Sequence, residues 1–294
     1  MRLRMGVSLA CALVVMMGIA GCGRGEMDRG GRMLVTASIA PLADFAKQVG
    51  GKYVEVELLV PPGASPHTYQ LEPSQMEMLS RASVLVLNGA GLEYWAKKAV
   101  DAAANPRLVA MDTARGMKLL DSDPEHPSGN PHVWLDPVNA IRQVEAIRDA
   151  FKRADPEHAS EYRANAAAYI GRLRHLDQEI RAQVKMFRAR SFVAFHPAWV
   201  YFAKRYSLTQ AAVIERSPGR EPSPGEIREV VDTVRRLKAK AVFAEPQFSP
   251  KAADVVAAES GAKVIFLDPL GKPPDYDYIE TMRSNLRQMS EGLR

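Results

Sequence analysis

Cysteine is nearly missing from this chain. Its 294 residues include two, Cys11 and Cys22. Cys11 falls inside an apolar stretch, residues 6–19, that follows Arg2 and Arg4. The stretch is too short to cross a bilayer as a helix. A basic start, an apolar middle and the small residues Ala20 and Gly21 are the pattern of a secretory signal peptide. With residues 1–22 read as signal, Cys22 is the one thiol left at the mature end. That reading excludes a structural disulfide, cysteine metal ligands and a cysteine nucleophile. Charge of one sign is lacking too. The formal net charge is +5, and without Arg2 and Arg4 the chain carries 37 basic against 34 acidic residues, or +3. Basic residues are interspersed with acidic ones rather than gathered in a run, so the charge argues against a nucleic-acid partner. No Gly-x-Gly-x-x-Gly and no P-loop occurs, which leaves nucleotide binding without a motif. Nor is there a compact His-Glu-x-x-His.

What remains is globular in composition, at 47% hydrophobic and 25% charged residues. The length suits one large or two modest domains. Ile19-Ala20-Gly21-Cys22 resembles the lipobox of bacterial lipoproteins, in which the cysteine is lipidated and becomes the mature N-terminus. The alternative is an ordinary signal with a chance cysteine. Residues 23–32, rich in Gly and charge, read as a flexible tether.

Apolar runs and alternation predict strands at 33–37, 53–60, 84–87 and 108–111. Helical spacing predicts helices at 41–49 and 93–103, and Ser74 to Glu77 reads as a capping box that opens another. Asp136-Pro137 supplies an N-cap and a proline at N1. Asp155-Pro156 repeats the device, and an unbroken helical pattern follows to about residue 188. At about 1.5 Å per residue that helix would be on the order of 45–50 Å long. Beyond it the scheme returns. Strands are expected at 192–195, 211–214, 241–244 and 264–267, with helices at 224–237, 250–259 and 278–292. The helix at 224 opens with a second capping box, Ser223 to Glu226. Strands alternating with helices give an α/β fold. We expect two α/β lobes with parallel four-stranded sheets (33–154 and 190–294) joined by one long rigid helix (155–189).

The histidines can be set against this map. His67 follows the second strand, and His196 directly follows the strand at 192–195. His132 lies just before a helix, and the acid Asp268 follows the strand at 264–267. In open α/β sheets ligands bind outside the carboxyl ends of the strands. Each of the four has a proline neighbour: Pro66, Pro131, Pro197 and Pro269. Two come from each lobe, as an ion held in a cleft requires. A lone histidine is otherwise a loop or core residue, and Trp134 beside His132 reads as packing. Three imidazoles and a carboxylate suit tetrahedral Zn²⁺ at about 2.0–2.2 Å per bond, and suit the harder Mn²⁺ or Fe²⁺ less well. His158 and His175 read as structural or solvated, His175 being spaced to pair with Glu179. His126 sits in a polar loop, residues 121–129.

Several stretches carry a resemblance. They are Pro62-Gly63-Ala64-Ser65-Pro66-His67-Thr68-Tyr69, Asn130-Pro131-His132-Val133-Trp134-Leu135-Asp136-Pro137, Ala194-Phe195-His196-Pro197-Ala198-Trp199-Val200-Tyr201-Phe202, Phe243-Ala244-Glu245-Pro246-Gln247-Phe248 and Phe266-Leu267-Asp268-Pro269-Leu270. Over the whole mature length the chain resembles the metal-binding solute-binding lipoproteins of bacterial zinc and manganese ABC uptake systems, the ZnuA/TroA-like group. The resemblance implies two lobes on a long helix with one metal between them, on His67, His132, His196 and Asp268. It implies an ABC permease and its ATPase subunit as partners, a lipid anchor on Cys22, and a place outside the cytoplasmic membrane, facing the periplasm or cell exterior. It implies transport and no enzyme activity. We further expect a monomer. Histidine at position 196, where manganese members tend to carry a carboxylate, favours zinc over manganese. Many zinc members add a long loop of His and acidic residues. Here that loop is short and holds only His126, which supports no metal-collecting loop.

A zinc-dependent hydrolase is the competing class. It would need three protein ligands, an open water position and a general base. Glu215 and Glu245 lie near strand ends and are candidates, although Glu245 is equally placed to orient a histidine N–H. A lipoprotein adhesin with incidental metal is a third class. For uptake, the long helix predicts modest lobe movement. Neutral histidine ligands predict affinity that falls below about pH 6.5.

Overall fold

All five residues of Met33–Ala37 are buried, as in a strand whose sheet is covered on both faces. This strand, β1, opens the computed structural model, which describes residues 31–120, 129–273 and 276–294. The signal segment, Cys22 and His126 lie outside the described residues. Helix α1 (Ala40–Gly50) follows, then β2 (Val54–Leu58), α2 (Pro73–Arg81), β3 (Val84–Leu87), α3 (Ala96–Ala103), β4 (Val109–Asp112) and α4 (Pro137–Ala154). The four strands pair in parallel in the order β2-β1-β3-β4. Val35 faces Val56 on one side and Val84 on the other, so branched aliphatics align across three strands.

Helix α5 (Ala159–Val184) leads to the second lobe. There β5 (Ser191–Ala194), α6 (Val200–Arg205), β6 (Thr209–Val213), α7 (Pro224–Leu237), β7 (Ala241–Ala244), α8 (Lys251–Ser260), β8 (Lys263–Phe266) and α9 (Tyr278–Leu293) follow. The order β6-β5-β7-β8, again parallel, repeats that of the first sheet. In each lobe the first strand has its successors on opposite sides. That is the switch point at which α/β sheets leave a crevice beyond their strand ends.

The connecting helix is shorter than its pattern predicts. Pro156–His158 form a 3-10 turn, His158 Nδ1 lies 2.7 Å from Asp155 Oδ2, and α5 begins only at Ala159. At the far end Arg190 Nη1 donates to the Val184 carbonyl at 2.9 Å and stops it. Its 26 residues span about 39 Å at 1.5 Å each. Tyr162, Ala166, Tyr169, Leu173, Leu176, Ile180 and Val184 form its buried face. They belong to one apolar cluster that also holds Val35 and Trp134 from the first lobe and Phe192 and Phe243 from the second. Helix α9 returns across the lobes. Tyr278 OH donates to the Trp134 carbonyl at 2.6 Å, and Tyr278 N donates to Asp44 Oδ2 at 3.1 Å.

Two local expectations shift. The cap of α2 is set on Glu72 rather than Ser74: Pro73 takes N1 and Gln75 Oε1 accepts from Glu72 N at 2.7 Å. The helix predicted from residue 93 begins at Ala96. Glu93 instead turns inward, where its carboxylate accepts from Ser38 Oγ (2.6 Å), Asn88 N (2.8 Å) and Gly89 N (2.9 Å). Asp136 and Ser223 cap α4 and α7 as predicted.

Candidate metal site

Three loops bring the imidazoles together. Beyond β2 the backbone keeps its register for two residues, with Leu59 N donating to Ala37 O and Val60 N to Ser38 O. Prolines 61 and 62 then end the pairing, because they have no N–H to donate. Gly63 (φ 78°) turns the chain where a side chain would be strained, and a turn closed by Thr68 N to Ser65 O presents His67. His132 precedes a 3-10 turn, Val133–Leu135, that buries Trp134. Its loop is held from below by Asn88 Nδ2, which donates to Pro131 O at 2.8 Å. His196 follows β5 one residue on, after Phe195. Pro197–Trp199 then turn into α6, a short helix the sequence did not betray.

The rings meet tilted or T-shaped, with their centroids 4.9–5.5 Å apart. His67 Nε2 and His132 Nε2 are 3.0 Å apart, and His132 Nε2 and His196 Nε2 are 3.1 Å apart. His132 and His196 are each 2% exposed, and His67 is half-buried. Two of the protons can be placed. His196 Nδ1 lies 2.7 Å from Oε1 of Glu245, which is 1% exposed. A carboxylate accepts and does not donate, so Nδ1 carries the proton. His132 Nδ1 lies 2.9 Å from Asn130 Oδ1, which also accepts from His132 N at 3.0 Å. Here too Nδ1 carries the proton. With both rings neutral, the two Nε2 atoms then face each other with lone pairs across 3.1 Å. Lone pairs so placed repel, and a cation between them turns repulsion into attraction. A tetrahedral site with bonds of about 2.0–2.1 Å has ligand–ligand edges of roughly 3.3–3.4 Å. The imidazoles need to part by only a few tenths of an ångström to hold one.

The cavity they share is lined by Ser65, Pro66, Trp134, Gln247, Phe248 and Pro269 as well, and admits a water-sized centre over about 10 Å³. That is room for a single ion or water. Glu245 Oε2 and Gln247 Oε1 are buried there without a partner, two acceptors that add to the negative character of the pocket.

Residues 35–292 match the family described as zinc-uptake complex component A, periplasmic (ZnuA). The chain belongs to this family. It is 31% identical over 292 residues to the manganese-binding lipoprotein MntA of Halalkalibacterium halodurans, covering 96% of each chain. It is 29% identical over 303 residues to the zinc-binding lipoprotein AdcA of Streptococcus pneumoniae, covering 97% of this chain and 60% of AdcA's length. The solved structure of a ZnuA superposes with a TM-score of 0.82 at 35% identity, covering 89% of this chain and 99% of that one. No helix among the described residues is long and apolar enough to cross a membrane.

Within this ZnuA-family fold the fourth sequence candidate stands apart. Among the described residues, the group of ligand atoms within 4.8 Å of one another comprises His67, His132 and His196. Asp268 is outside it. Its Oδ1 accepts from Gln247 Nε2 (2.9 Å), Leu270 N (3.0 Å) and Gly271 N (3.0 Å). It lines a separate cavity of about 910 Å³ between β8 and α9 that contains none of the histidines. Glu215 is a buried acid whose burial pushes its carboxyl above the ordinary range, and it accepts from Gly219 N at 2.5 Å rather than entering the histidine cavity. His158 stacks on Tyr53 at 4.0 Å, and His175 Nε2 meets Glu179 Oε1 at 3.1 Å on the surface.

Two residues at the site had no role assigned from sequence beyond packing. Asn130 Nδ2 donates to Pro197 O at 2.6 Å, and Trp134 Nε1 donates to Pro269 O at 2.8 Å. Each reaches from the His132 loop to the proline after a candidate ligand in the other lobe. For Asn130 the signal was legible: an Asn-Pro pair favours an Asx turn, in which Oδ1 accepts from the backbone two residues on.

Proposed function

We propose that this chain is the extracytoplasmic solute-binding component of an ABC importer, which captures one divalent transition-metal ion between its lobes and delivers it to a membrane permease. The observation that carries this reading is the convergence of three imidazole Nε2 atoms on one small pocket, with a buried carboxylate behind one of them. Zinc is the cargo that three nitrogens in so small a cavity fit best. Manganese is the alternative, and the kinship with a protein named manganese-binding keeps it in the comparison. His67, His132 and His196 are the proposed ligands, with Glu245 fixing His196. Asp268 is the proposed fourth, and reaching the ion requires its carboxylate to move toward the three imidazoles, outside whose cluster it now lies. In the same reading Cys22 carries a lipid anchor, the partners are a permease and its ATPase subunit, and the chain works as a monomeric carrier without turnover.

Release follows from the joints between the lobes. Besides the two donor contacts to proline carbonyls, Arg205 Nε donates to both oxygens of Asp136, at 2.9 and 2.8 Å. With α5 and α9 shared by both lobes, wide hinge opening would expose a common core. Delivery then depends on the permease drawing ligand loops apart. The test is competition of zinc against manganese for the purified protein, read by elemental analysis. One equivalent of zinc that excess manganese fails to displace supports the reading. Retention of no metal, or full displacement by manganese, counts against the carrier role or the zinc assignment respectively.

A further inference from the structure

We propose that Asn130 is a positioning residue of this site: it holds the His132 proton on Nδ1, which leaves Nε2 bare for the ion, and it does so independently of its tie between the lobes. The proposal rests on the reading of the three histidines as ligands. Asn130 is 1% exposed, and all four of its hydrogen-bonding groups are engaged. Its N donates to Leu120 O at 2.6 Å, and its carbonyl accepts from Tyr201 OH at 2.7 Å. Its Oδ1 accepts twice from His132, from backbone N and from ring Nδ1. Its Nδ2 donates to Pro197 O at 2.6 Å. These contacts fix the amide's orientation. The end that faces two N–H groups must be oxygen, and the end that faces a carbonyl must be nitrogen.

The orientation has a chemical consequence. A free neutral imidazole exchanges its proton between two nitrogens. With the proton on Nε2, that nitrogen would have no lone pair to offer a metal in the pocket, and the bare Nδ1 would face Asn130 Oδ1 at 2.9 Å. Two buried acceptors in contact with no proton between them are unfavourable. Asn130 thus selects the ligating tautomer before any ion arrives. Glu245 has the matching contact to His196, but as a carboxylate. Asn130 does the work with a neutral amide, and so orients the ring without bringing a second acid into the pocket.

Two functions of one side chain can be separated by substitution. Asn130→Ala removes both the acceptor for Nδ1 and the bond to Pro197. Asn130→Asp keeps an acceptor for Nδ1 and loses the donor to Pro197. Zinc affinity by chelator competition, metal-free melting temperature, and the imidazole ¹⁵N shifts of His132 are measured for wild type, both variants and His132→Ala. N130A is expected to weaken zinc binding about tenfold or more, with His132 populating both tautomers. N130D is expected to melt as low as N130A, yet to keep the proton on Nδ1 and bind closer to wild type than to N130A. Wild-type affinity and tautomer in N130A overturn the proposal. So does an N130D that binds as poorly as N130A with the proton still on Nδ1, since the bond to Pro197 would then be the cause. Should N130A not fold, N130D decides against wild type by affinity and tautomer alone. Wild type without zinc affinity, or H132A equal to wild type, overturns the ligand reading itself.

Discussion

His132 and His196 are buried polar groups whose outward nitrogens face each other, and that is a cost unless something positive comes between them. Replacing either by Ala is expected to abolish stoichiometric zinc at micromolar protein, while Glu245→Ala should weaken binding about 10–100-fold through a misoriented ring; chelator competition measures both. Asp268→Asn keeps an oxygen for Leu270 N and Gly271 N but loses the charge, so metal-free stability should hold while zinc affinity falls. Equal affinity would remove Asp268 from the ligand set. Glu93 gives a pH prediction of the opposite kind. Burial, the largest effect, raises its carboxyl above the ordinary value of 4.5, against the hydrogen bonds from Ser38, Asn88 and Gly89 that lower it. A raised folded value means that its contribution to stability is full below about 4.5 and is lost as pH rises through the folded value. The stability of wild type relative to Glu93→Gln should therefore improve as pH falls from 7 to 5, read by urea unfolding of the metal-free protein. The meeting of the three histidines was legible in sequence because each sits beside a proline in a loop between elements. The displacement of Asp268 was not, since it depends on two backbone N–H groups and Gln247 turning toward the same oxygen.

Elements were legible where a local signal and burial agree. Ser223 and Asp136 cap their helices because the capping side chain, a proline at N1 and the start of the apolar stripe coincide. On α2 the signals compete, and the helix starts at Pro73, because proline fits N1 and would break a helix begun a turn or more earlier. On α3 the predicted first turn is lost because Glu93 satisfies N–H groups of residues 88 and 89, which a propensity pattern does not see. Helix α6 is one and a half turns long, below the length at which periodicity is readable. Helix α5 is the element both lobes share. Leu173→Ala on its buried face should cost about 2–5 kcal/mol, and the loss should appear in a single unfolding transition. Two separated transitions, with only one shifted, would mean that the lobes fold independently and that α5 does not join them.

At the scale of the molecule, two copies of one topology meet at their strand ends, and the segment from Asn130 to Asp136 joins them. It contributes His132 to the pocket, donors to Pro197 and Pro269, and an acceptor to Arg205. One proposed ligand and three ties between the lobes therefore share the same seven residues. Ion binding should raise the melting temperature, with about 2.7 kcal/mol of stabilisation at a free ion concentration 100 times Kd. Acid should erase that gain, because protons compete for imidazoles that must be neutral to ligate; thermal scans with and without zinc at pH 7.5 and 5 check this. The central claim is that three imidazoles of one chain hold one ion. X-ray absorption at the zinc edge of the loaded protein tests it most directly. The account predicts one zinc per chain with three imidazole shells at about 2.0–2.1 Å, falling to two in His196→Ala if any zinc is kept. A spectrum with fewer than three imidazoles in the wild-type protein, or one unchanged in His196→Ala, would contradict it.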